Sequence, residues 1–65
     1  MRLTVFWERM YARFGEAYAD SLARDLVIAQ LGGRTVTAAL AEGEEPRVVW
    51  TAVCDAVDVP AGERH

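Results

Sequence analysis

"AQLGGRTVTAAL", residues 29–40, is the stretch whose reading decides how this chain folds. Two glycines, an arginine and a threonine stand before a helical run, as they do in loops that hold phosphate. A phosphate loop needs glycines because backbone N–H groups must approach the anion closely, and the following helix N-terminus supplies positive potential. Here Gly32 and Gly33 follow a helical pattern rather than a strand, and no Lys-Ser or Lys-Thr pair is present. Neither a GxxxxGK loop nor a GxGxxG fingerprint can be written on these residues. Glycine ending one helix in left-handed geometry, with Thr35 capping the next, explains the same letters. The stretch reads as a joint between two helices that leaves Arg34 on the outside of the corner.

Upstream, apolar spacing predicts a helix over residues 16–31. Its stripe is Tyr18, Leu22, Leu26 and Ala29, widened by Val27 and Leu31. Asp20 and Arg24, four apart, are expected to pair on its side. Gly15 interrupts the pattern, and before it a first helix spans 4–14. Thr4 is its expected cap, and Leu3, Phe6, Trp7, Met10 and Phe14 form its apolar stripe. Downstream, Thr35 starts a short third helix over 36–42, with Ala39 and Leu40 inward and Gly43 at its end. Pro46 suits the first turn of a fourth helix, 46–57, where its missing N–H would have no partner anyway. Val49, Trp50, Val53, Cys54, Ala56 and Val57 give that helix a broad apolar side, and Val59-Pro60 stops the chain from continuing it. The fold class is therefore all-α: one small domain of four short helices over 1–60, with 61–65 as a frayed tail.

Composition bounds what such a domain does. Sixty-five residues bury only about 60% of the unfolded surface, so support comes from helix packing or from association. The single Cys54 excludes an intrachain disulfide, and one cysteine with one histidine, His65, does not make a zinc site. No cofactor and no metal is expected. The apolar runs are all shorter than the roughly 20 residues a membrane span requires. The opening MRLTVFWERMYARF carries charge where a signal peptide would be apolar, so the expected compartment is the cytoplasm.

Catalysis lacks its parts. Cys54 and Ser21 have no internal histidine to serve as base, and no second acid is signalled beside Asp20 or Asp25. The chain reads as no enzyme. Its net charge is −3, divided as +1 over residues 1–34 and −4 over residues 35–65. That polarity favours a protein partner or a second copy of the chain over nucleic acid. Residues 36–57 have the helix-turn-helix outline, but the second helix offers Arg47 and Thr51 beside Glu44, Glu45 and Asp55, the wrong charge for phosphate.

Six aromatics remain to be placed. Phe6, Phe14 and Trp50 read as core. Trp7 and Tyr11 lie on a helix flank near arginines, a combination enriched at binding hot spots. The candidate binding residues are therefore Trp7, Arg9, Tyr11, Arg13 and Arg34. The favoured function is a non-catalytic protein-binding or self-association module. The alternative is a nucleic-acid accessory protein using the arginines and aromatics of the N-terminal half.

The strings MRLTVFWERM, FG..YA.S.ARD, LGGRTV..AL..G..P..VW.AVC and DVP together resemble a family of small actinobacterial proteins classed as a domain of unknown function. The likeness runs from Met1 to Pro60. It implies genes lying near those of the RecA recombinase and its RecX regulator, and it assigns no catalytic residue. It also implies aspartate before the proline that opens the fourth helix; Glu45 departs from this.

Overall fold

The computed structural model describes residues 1–65 and contains four α-helices: α1 (Leu3–Phe14), α2 (Glu16–Asp25), α3 (Val36–Ala41) and α4 (Pro46–Ala56). Short 3-10 turns lie at Ala29–Leu31 and Ala61–Glu63. α1 packs against α2 and α4, and α3 packs against the same two, so the helices close a ring around one core. Phe6, Met10, Leu31, Val36, Val49 and Val53 are fully enclosed there. Trp50 is the hub, with Phe6 and Phe14 edge-on to it at ring-centroid distances of 6.2 and 6.5 Å.

Several helix ends follow local chemistry. The Thr35 hydroxyl accepts from the Ala38 N–H at 3.1 Å and caps α3. At the other end of α3, Gly43 takes φ +90, its N–H reaches the Leu40 carbonyl, and the Glu44 N–H reaches the Ala39 carbonyl. This is the Schellman pattern. α4 closes with the outer bond of that pattern alone, the Val59 N–H reaching the Cys54 carbonyl, and Val59 is buried. There the left-handed position is held by Asp58, at φ +56. Thr4 does not cap α1; the helix starts one residue earlier, with the extended Arg2 at the cap position and no side-chain cap.

The largest departure from expectation is the end of α2, which stops at Asp25 instead of running to Leu31. At 100° per residue, a continued helix would point Ile28 about 120–180° away from Ala19, Leu22 and Ala23, the buried residues of α2. The chain instead becomes extended at Leu26 and Ile28, and a single antiparallel bridge joins Ile28 to Arg34. Both Ile28 and Leu31 then reach the core, while Val27 and Ala29, expected inward, lie exposed. Tyr18, also expected on the inner stripe, is 57% exposed. Thr37 on α3 donates to the Ala23 carbonyl at 3.1 Å and satisfies one of the acceptors that the end of α2 leaves open.

Residues 61–65, expected as a frayed tail, fold back on α4. The Trp50 indole donates to the Arg64 carbonyl at 2.7 Å, and the Arg64 guanidinium donates to the Val59 carbonyl at 2.9 Å and to Asp55 at 2.7 Å.

Candidate binding surfaces

The Gly32-Gly33 corner is occupied by its own hydrogen bonds. The Gly32 N–H donates to the Ala29 carbonyl and the Gly33 N–H to the Ile28 carbonyl, at 2.9 and 3.1 Å. Those are the amides a phosphate cradle would have to offer. Both glycines have positive φ, which L side chains adopt at a cost, so the residue type follows from the turn.

Arg34 is not free on the outside of that corner. Its Nε donates to the Leu31 carbonyl at 2.6 Å, and its two terminal nitrogens reach Glu42 and Glu44 at 3.3 and 2.5 Å. The Glu44 hydrogen bond raises the guanidinium pKa further above its usual value. Arg34 thus ties the corner to the α3–α4 turn, with each of its three nitrogens bonded within the chain.

The other four candidates fall on two sides of α1. Trp7 and Tyr11 touch, with ring centroids 5.7 Å apart and planes tilted by 30°. Trp7 is half-buried, packed edge-on against Phe6, while Tyr11 is exposed at 39%. The Tyr11 hydroxyl donates to Asp20 on α2 at 3.2 Å. Partial desolvation, then Asp20 and Glu16, raise the phenol pKa. Asp20 therefore serves Tyr11, and the expected Asp20–Arg24 pair is absent; Arg24 lies 3.7 Å from Asp25 instead. Leu3, 49% exposed, is one turn before Trp7 and extends the apolar edge.

Arg9 and Arg13 face the opposite side, toward α4 and the tail. They line a hollow of about 240 Å³ with Trp50, Glu63 and His65. Arg13 is held by Glu63 at 2.7 Å, whereas Arg9 makes no ion pair. Trp7 and Arg9 are two residues apart, or 200° around a helix, so their separation follows from spacing alone. The five candidate residues are three separate features, not one patch.

A surface that sequence reasoning did not find lies where α2 and α4 both end. Tyr18, Leu22, Leu26 and Val57 line a groove of about 330 Å³, with Ser21 and Asp25 at its rim. Nothing in the sequence brings the end of α2 beside the end of α4; only the ring of helices does.

Reactive groups are few. Cys54 is fully buried, and burial raises its thiol pKa although Arg64, Arg13 and Arg9 pull the other way. Asp55 is held below the usual carboxylate range by Arg64 and then by Gln30. No group of three or more His, Cys, Asp and Glu side chains is placed to hold a metal ion. No helix is long and apolar enough to cross a membrane.

The chain belongs to a family of proteins of unknown function, DUF3046, whose sequence model matches residues 1–62. No curated protein and no solved structure is matched by it.

Proposed function

We propose that this member of a family without an assigned role is a non-catalytic protein-binding module, and that its contact edge is the flank of α1 carrying Leu3, Trp7 and Tyr11. The observation that carries this reading is the Trp7–Tyr11 contact, left part-exposed beside an exposed leucine. A chain this short has little apolar area to spare from its core. Rigid aromatic rings on a helix edge supply contact area at low entropic cost, as at binding hot spots. The occupant is another protein or a second copy of the chain.

The nucleic-acid alternative has less support. Arg13 and Arg34 are neutralised by Glu63, Glu42 and Glu44, which leaves Arg2 and Arg9 as the N-terminal arginines without an acidic partner. A cationic track for a phosphate backbone needs several such charges in a row.

The test is photo-crosslinking in the native host from benzoylphenylalanine at position 11, compared with position 48 on the outer face of α4. Discrete adducts from position 11 that disappear with Trp7→Ala are expected. Equal labelling from both positions, together with a monomeric mass at high concentration, would overturn the reading.

A further inference from the structure

We infer that the groove between the ends of α2 and α4 is a second docking site, and that its occupant is a short segment of another protein presenting an apolar side chain flanked by arginine or lysine. The floor is apolar: Leu22 and Leu26 are one turn apart, and Val57 faces them from α4. Tyr18, which lines the groove, is 57% exposed and so among the most exposed large apolar residues of the chain. At about 330 Å³ the groove is at the small end of ligand-binding cavities, sized for an anchoring side chain and its neighbours.

Charge selects among occupants. The groove is lined by the residues that follow the last turns of two helices, Leu26 after α2 and Val57 after α4. Each helix places partial negative charge at its C-terminus, so two macrodipoles converge on one opening. Asp25, the last residue of α2, and Asp58, next to Val57, add formal negative charge. Asp58 makes no ion pair, whereas Asp25 pairs with the exposed Arg24 beside it at 3.7 Å and accepts a hydrogen bond from Ser21 at 3.3 Å. An apolar cleft with an acidic mouth rejects an acidic segment and rewards a basic amphipathic one, the recognition mode of a helix laid in a groove. The site is separate from the Trp7–Tyr11 edge, so the two readings stand or fall independently.

The experiment titrates the full isotope-labelled chain with a 14-residue amphipathic Leu/Arg helical peptide, and with its Leu/Glu counterpart, while amide shifts are followed. Saturable shifts centred on residues 18, 22, 26 and 57 are expected with the Leu/Arg peptide alone. The double variant Asp25→Asn, Asp58→Asn should weaken binding by roughly three- to tenfold at low salt, from two exposed charge contacts. Asparagine keeps the left-handed backbone at position 58. Glu45→Gln, an acid far from the groove, should leave binding unchanged. Shifts centred on Trp7 and Tyr11 would overturn the groove while favouring the α1 edge. Equal binding of both peptides, an equal effect of Glu45→Gln, or no saturable shift would each overturn it as well.

Discussion

Two corners of this molecule are closed by an arginine in the same manner. Arg34 sends its Nε to the Leu31 carbonyl and its terminal nitrogens to Glu42 and Glu44. Arg64 sends its Nε to the Val59 carbonyl and a terminal nitrogen to Asp55. The backbones beneath them differ. Under Arg34 lie two glycines of positive φ, a bridge from Ile28 to Arg34, and two core residues, Ile28 and Leu31. Under Arg64 lie a left-handed aspartate, one core residue, Val59, and the indole of Trp50, which bonds the Arg64 carbonyl. The first corner lies between helices and decides where α2 ends. The second is an addition that shields the end of α4. Equal side-chain chemistry should therefore contribute unequally to stability.

The strongest way to break the first corner is through its backbone. Gly33→Val forces a β-branched residue to φ +77 and is expected to destabilise by about 2 kcal/mol, measured by denaturant unfolding. There is open space around a Cβ at this position, so the loss reports conformation and not crowding. If Gly33→Val were neutral, the glycine pair would not be fixing the corner. Arg34→Ala comes next, lowering the thermal midpoint by several degrees. Arg34→Lys should recover little, because an ammonium cannot bond one carbonyl and two carboxylates in the fixed geometry of the guanidinium fork.

Arg64→Ala is expected to cost less, about 1 kcal/mol for its hydrogen bonds at a partly exposed site. Its sharper signature is local. Cys54 is buried beneath this corner, and its thiol should be alkylated faster in Arg64→Ala than the loss of global stability accounts for. Arg34→Ala should change alkylation only in proportion to stability. If both variants behaved alike, the two corners would belong to one cooperative unit. Asp58→Gly should stabilise by up to about 1 kcal/mol, since glycine takes φ +56 without strain, and a loss there would show that the aspartate side chain is needed.

The smallest effect is the pH dependence of the second corner. The Asp55 pKa is lowered in the folded chain, first by Arg64 and then by Gln30. Its contribution is therefore complete above the ordinary carboxyl value of about 3.9 and is lost as pH falls through the lower folded value. Asp55→Asn should remove that part of the acid sensitivity in unfolding midpoints taken from about pH 5 to pH 2. An unchanged profile would mean that the Arg64–Asp55 contact contributes nothing at that end of the chain.

Local rules were readable wherever the partner was close in sequence. Thr35 bonds three residues ahead, Gly43 closes α3 onto Leu40, and Pro46 needs no partner at all. The split of Trp7 from Arg9 was readable too, since two residues on a helix cannot share a face. What escaped was decided between distant residues. The Tyr11 hydroxyl finds Asp20 nine positions on, Arg34 finds Glu44 ten positions on, and Trp50 finds Arg64 fourteen positions on.

The sequence by itself determined that this is a chain of four short helices, because apolar spacing, caps, glycines and prolines act over one or two turns. It also determined that residues 29–40 are a joint and not a phosphate loop. The tertiary structure decided the rest. It stopped α2 at Asp25, because a continued helix would have turned Ile28 away from the core. It took Arg34 out of the candidate contact face, because two glutamates on the neighbouring turn claim its donors. It also made a groove from the ends of α2 and α4, which only packing brings together.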